Sequence, residues 1–190
     1  NVWVKHGEVD AVSWLDGYTV RHIPAPGERN QRIYESRAGR LWSVNDRGVL
    51  EFVGEAWRHH PIAEIAAEQQ LEPYRLIRRV PLLPAESDRV LILLRDRLME
   101  FRSVLGDKAT LRFATNTGLG MFEDFTVTID EGVWVCGSLG VARIPGPLRQ
   151  IEASTPWTEH MIPPALGVKN LRRPVGDDDG GVTTIGEKEG

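Results

Sequence analysis

Cysteine is nearly missing from this chain: Cys136 is the only one in 190 residues. A single thiol excludes an intrachain disulfide framework and leaves the redox compartment undecided. Basic charge is not in excess either. The 23 Lys and Arg face 27 Asp and Glu, a net charge of −4, whereas a nucleic-acid binder presents a basic face; no nucleic-acid partner is expected. Long apolar runs are absent too. The longest, Val90 to Leu94, is far short of the ~20 residues that a helix needs to span a bilayer. Hydrophobic residues make up 41% of the chain, ordinary for a folded globular domain.

What the chain does have is self-similarity. Trp42 precedes Gly48, and Trp134 precedes Gly140, by the same step and in matching surroundings. Val2-Trp3-Val4 repeats the start of this unit, Val90 to Phe101 repeats it with the tryptophan lost, and Gly180 to Ile185 repeats its opening once more. The spacings are 39 residues from Trp3 to Trp42, 49 from Phe52 to Phe101, 43 from Leu91 to Trp134 and 49 from Trp134 to Thr183. A period in the forties built from short strands is the signature of a propeller blade. The expected fold is therefore all-β: a β-propeller of about four blades, at 1–24, 31–61, 76–113 and 125–163, with a partial one at 169–190.

Within the best two copies four strands can be placed. Residues 31–36, 40–44, 48–53 and 56–60 form one set, and 125–129, 132–136, 140–144 and 156–161 the other. Phe125 to Ile129 alternates apolar and polar, the period of a half-buried strand. Proline follows the last strand of each set, at Pro61 and Pro163, as suits an outermost strand that need not donate to a further ladder. Pro61 to Leu71 interrupts the pattern with Ala, Glu and Gln, strong helix formers, and reads as one short inserted helix. Val2-Trp3-Val4 and Val182-Thr-Thr184 read as copies of the same second strand. The expectation is a partial propeller or half-ring that associates with further blades or a second chain.

Trp3, Trp42 and Trp134, with Gly48 and Gly140, read as structural repeat positions. Each tryptophan would bring ~150–250 Å² of packing area. Trp14 reads as lying outside the repeat register and is the tryptophan nominated for ligand contact. His22, His60 and His160 fall near the ends of three outer strands, around a rim rather than about one metal, so no metal site is expected. Asp177 to Gly181 has the residues of a hairpin turn more than those of a calcium loop. Cys136 reads as a small buried hydrophobe. Glu123-Asp124 are neighbours that rarely converge for acid–base work. Arg78-Arg79 and Arg172-Arg173 have the composition of a solvated face or of an anion contact at the central channel. Loops around Asp107, Lys108 and Asn116 are nominated as ligand-binding, because propeller ligands gather where loops meet.

At Gly39 to Phe52 and, most closely, at Asp130 to Ile144, the chain resembles the two-component regulator propeller repeat, whose strand carries "G-x-[LV]-W-[VI]-G-T" followed by "G-[LV]-x-[RK]-[FY]". Asp178 to Gly186 resembles it with threonine for tryptophan. The third copy departs from the pattern throughout. The resemblance implies a sensor propeller outside the inner membrane of bacteria, periplasmic or extracellular, coupled elsewhere to a kinase or cyclase and often reading carbohydrates. The expected function is non-catalytic ligand sensing, with no cofactor and no catalytic residue. A propeller enzyme of the streptogramin-lyase type and a protein-interaction scaffold remain the alternatives.

Overall fold

The structure, a computed structural model, describes residues 2–5, 11–15, 17–27, 32–70, 80–177, 179 and 181–188. Seventeen strands and one α-helix run along it. The first sheet holds β1 (Val2–Lys5), β2 (Ala11–Leu15) and β3 (Val20–Pro24). The second holds β4 (Tyr34–Glu35), β5 (Leu41–Val44), β6 (Gly48–Val53) and β7 (Ala56–Pro61). Helix α1 (Ala63–Gln70) follows. The third sheet holds β8 (Leu82–Pro84), β9 (Arg89–Leu93), β10 (Arg97–Arg102) and β11 (Asp107–Phe113). The fourth holds β12 (Phe122–Val127), β13 (Val133–Gly137), β14 (Gly140–Ile144) and β15 (Thr158–Met161). A hairpin of β16 (Val168–Gly176) and β17 (Val182–Lys188) completes the order. Every pairing is antiparallel and joins neighbours in sequence. The chain is mostly β, in five meander sheets of two to four strands: the blades of a propeller.

The chain divides into two compact units, residues 1–79 and 80–190. The first has a core of Val12, Ile23 and Leu41, flanked by Ile33, Phe52 and Trp57. Trp57 tilts against Phe52 at 5.2 Å and donates its indole N–H to the Pro24 carbonyl at 2.8 Å. The second unit is built on a core shared by its two four-stranded sheets. Leu91, Leu93 and Leu98 pack with Phe122, Val133 and Val135, each worth roughly 1.5–3 kcal/mol of burial. Phe122 also stacks on Trp157 at 5.7 Å.

The tryptophan-to-glycine step has a steric reason. Gly48 pairs with Pro61, and Gly140 with Met161. A Cβ there would lie 2.1 Å from the His60 carbonyl oxygen and 2.6 Å from that of His160, so only glycine lets the last two strands close. The third sheet, whose sequence departs from the pattern, is nonetheless a complete four-stranded meander. Arg97 stands where the glycine would be, three residues before Glu100 as Gly48 is three before Glu51. A register shift between Leu98 and Met99 accommodates it, the usual effect of a bulge on a ladder.

Helix α1 starts at Ala63, two residues after the expected Pro61. Ile62 donates its N–H to the Arg47 carbonyl, and Ile62 and Ile65 are buried, which anchors the first turn. Leu71 and the Arg78-Arg79 pair lie outside the described residues. The first strand of the fourth sheet begins at Phe122, three residues before the expected Phe125. Phe122 supplies the apolar anchor, and a register shift between Phe122 and Asp124 hides the alternation. Asp177 to Gly181 joins β16 to β17, with the Asp177 N–H donating to the Gly181 carbonyl at 3.2 Å, the hairpin connection its composition suggests.

Candidate ligand-binding site

Of the residues nominated from sequence, three belong to the third sheet and its flank. Asp107 and Lys108 open β11 and are exposed; Asn116, also exposed, ends a short 3-10 turn just past the far end of that strand. A seven-residue strand spans ~20 Å, so the two loops sit on opposite rims of their sheet and do not share one channel mouth. Trp14 is half-buried in β2, opposite Trp3 on one side and Arg21 on the other. That is the register place held by Glu51 opposite Trp42, by Glu100 opposite Leu91 and by Arg143 opposite Trp134. Trp14 therefore lies inside the repeat register, not outside it. The sequence hid this because the equivalent residues elsewhere are charged. Of Trp3 only the backbone is described. Trp42 and Trp134 are buried, and both indole nitrogens lack a hydrogen-bond partner among the described residues.

The histidines also divide differently. His60 and His160 are true equivalents, opposite Val49 and Val141. His22 faces Ser13, one step out of that register, and alternation turns it to the other side of its strand. Each is engaged locally. His22 Nδ1 meets Ser13 Oγ at 2.8 Å, His60 Nε2 meets Glu51 Oε2 at 3.0 Å, and the His160 ring lies 5.7 Å from that of Trp134. Among the described residues, no three of His, Cys, Asp and Glu gather as a metal site would require.

Two charged clusters remain. One is an ion pair in each four-stranded sheet, from the third strand to the start of the second or the turn before it: Arg40 with Glu51, Arg89 with Glu100, and Arg143 with Asp130. Arg89 is only 2% exposed and also donates to the carbonyls of Arg149 and Ile151. It ties the third sheet to the β14–β15 connection of the fourth. These groups are consumed by the framework.

The other cluster lies between β12 and β16, and no motif or spacing signals that its members meet. In a propeller the first strand of each sheet faces the central channel, and β16 lies against β12 and β13. Glu123 occupies the register shift in β12; its side chain is 8% exposed and sits 3.9 Å from Arg172 Nε. Arg172, 54% exposed, also reaches Glu187 on β17 at 2.9 Å. Asp124 accepts from the N–H of Phe125 at 2.9 Å and from that of Arg173 at 3.2 Å. Beneath them Cys136 Sγ lies 3.8 Å from Thr184 Oγ1, whose hydroxyl donates to the Arg172 carbonyl at 2.9 Å. Burial foremost, with the nearby Asp124 charge, pushes the Cys136 thiol up to about 12 against a partial offset from the Thr184 hydrogen bond. At neutral pH Cys136 is thus a protonated thiol, where a nucleophile would be a thiolate. The arrangement suits binding by charge and hydrogen bonds more than covalent chemistry.

No family model matches the chain, and no curated protein does. Solved structures do. A streptogramin B lyase superposes with a TM-score of 0.61 at 12% identity, over 96% of this chain and 57% of the lyase. The extracellular domain of a putative hybrid two-component system from B. thetaiotaomicron superposes with a TM-score of 0.57 at 11% identity, over 93% of this chain and 23% of that domain. A second structure of that same domain, there described as belonging to a putative one-component system, gives 0.56 at 10% identity, over 92% and 23%. The present chain thus spans little more than half of the lyase and about a quarter of that extracellular domain. Identities this low establish the fold alone, and that fold is a β-propeller.

Proposed function

We propose that this chain is a non-catalytic, ligand-binding portion of a sensor propeller that works outside the cytoplasm, and that it binds at the β12–β16 edge. The observation that carries this reading is the mixed charge on those two strands. Glu123, Asp124, Arg172 and Arg173 come together there from segments about fifty residues apart: Arg172 pairs with Glu123 and Glu187, and Asp124 accepts the Arg173 backbone N–H. The shared fold with the extracellular domain of that putative signalling system supports the sensor setting, as do the repeat motifs at Gly39 to Phe52 and Asp130 to Ile144. The neutral Cys136 thiol and the local engagement of His22, His60 and His160 favour binding over turnover.

The test is a library of small molecules, carbohydrates included, screened against the purified chain by thermal shift and by calorimetry. Binding that Asp124→Asn or Arg172→Gln weakens, with no change in the ligand's mass or chromatographic mobility, is the expected outcome. Consumption of a streptogramin B by the purified chain would replace this reading with the lyase one.

A further inference from the structure

The backbone of β16 does something unusual at its two arginines. In a regular strand successive side chains point to opposite faces, so one of Arg172 and Arg173 would turn inward. Instead Leu171 and Pro174 are buried while Arg172 and Arg173 are both exposed. The cause is visible in the dihedrals. Asn170 and Arg173 have φ of +54° and +51°, and the ladder to β17 shifts register on both sides of Arg172. A left-handed conformation is uncommon for any residue but glycine, and asparagine tolerates it better than arginine. Such outliers persist where surrounding contacts hold them, and they cluster at ligand clamps. Here the Asp124 carboxylate receives the Arg173 N–H, and Thr184 holds the Arg172 carbonyl.

The two guanidinium groups are then treated differently. Arg172 is paired with Glu123 and Glu187. That of Arg173 has no ion pair or hydrogen bond among the described residues. An exposed arginine whose backbone N–H is fixed by a carboxylate with lone pairs to spare offers, together with that carboxylate, two points of contact to one ligand. The guanidinium fork matches a planar carboxylate in two parallel hydrogen bonds. The Asp124 carboxylate, an acceptor only, takes a hydroxyl donor.

We infer that the β12–β16 edge recognises a small hydroxycarboxylate of the sugar-acid class, its carboxylate on Arg173 and a neighbouring hydroxyl on Asp124. This rests on the binding reading above and narrows it. A neutral sugar would leave Arg173 unused, and a simple carboxylate would leave Asp124 unused.

The experiment is isothermal titration calorimetry of the full chain with gluconate, glucose, acetate and inorganic phosphate, repeated on Arg173→Gln and on Lys108→Gln, a control at the start of β11. Gluconate should bind at least tenfold more tightly than each of the other three. Arg173→Gln should lose at least tenfold of that affinity with its unfolding midpoint unchanged, and Lys108→Gln should lose none. Glucose binding as well as gluconate would overturn the inference while leaving the binding site in place. So would acetate or phosphate binding as well as gluconate, or an Arg173→Gln variant of undiminished affinity. Absence of binding by all four probes would overturn it as well, and the library screen would then judge the broader reading independently.

Discussion

The second sheet and the fourth carry the same tryptophan and opposite charges. In β4–β7, Trp42 faces Glu51, and Glu51 pairs back to Arg40. In β12–β15, Trp134 faces Arg143, and Arg143 pairs back to Asp130. Gly132 stands where the fourth sheet would need its own arginine, and a Cβ there would lie 2.0 Å from the Arg143 guanidinium. The third sheet settles which feature matters more: it has lost the tryptophan, with Leu91 buried in its place, yet keeps the Arg89–Glu100 pair. What repeats is a complementary charge pair tying the third strand to the start of the second or to the turn before it. The residue types, and even the signs, are free to change. The bulky ring is one of several ways to fill the space beside it.

This comparison can be broken most forcefully at the tryptophan. Trp42 is fully buried, so Trp42→Ala should cost about 3–5 kcal/mol, the range for emptying a large aromatic site, read from urea unfolding. Ligand binding should survive in whatever remains folded. Next comes the buried pair. Arg89→Met leaves Glu100 with only the longer contact to Arg102 at 3.9 Å and strands two backbone carbonyls, and removing one partner of a buried pair costs about 3–5 kcal/mol. Because Glu100 is reached by some water, with its side chain 16% exposed, the low end of that range is expected. The sign-reversed pair should matter far less. Asp130 is 66% exposed, and exposed pairs contribute about 0–1 kcal/mol, so Arg143→Met should shift the urea midpoint little. An effect of Arg143→Met equal to that of Arg89→Met would mean that burial does not rank these pairs.

Two titrations sharpen the same contrast. The Cys136 thiol is raised to about 12, so the neutral form is favoured in the folded state. Its contribution to stability is whole below the thiol's unfolded pKa and is lost as pH rises through the folded value. At neutral pH, iodoacetamide should leave Cys136 unmodified in the native chain and label it after denaturation. Asp130 behaves in the opposite sense. The Thr128 hydroxyl, foremost, and Arg143 hold its carboxyl below the ordinary value against a smaller cost of desolvation. Its contribution is present above the unfolded pKa and disappears as pH falls through the lowered one. Because Asp130 is so exposed, the effect is the smallest of the set. It should appear as a slight acid-limb difference between the parent and Asp130→Asn.

The framework was legible because its signals are local. The six-residue step from Trp42 to Gly48 records a close approach of backbone that only glycine permits, and it survives intact at Trp134 and Gly140. Where the step fails, the third sheet folds all the same, since a bulge at Leu98 and Met99 replaces the missing glycine; no residue type marks a bulge of that kind. Trp14 was misplaced because register is set by pairing, and its equivalents Glu51, Glu100 and Arg143 share no chemistry with it. The β12–β16 edge was illegible for a related reason. Glu123-Asp124 and Arg172-Arg173 each read as a solvated doublet when strict alternation is assumed. Register shifts at Glu123 and around Arg172, with positive φ at Asn170 and Arg173, break that alternation. Asn170 alone carried a hint, since asparagine is enriched in left-handed backbone.

The most direct test of where this chain binds is a backbone amide shift map of the isotopically labelled protein titrated with gluconate. Shifts concentrated in Phe122 to Val127 and Val168 to Gly176, saturating together, are the result expected from the β12–β16 edge. Shifts centred on Trp14, or on Asp107, Lys108 and Asn116, with β12 and β16 unmoved, would contradict it.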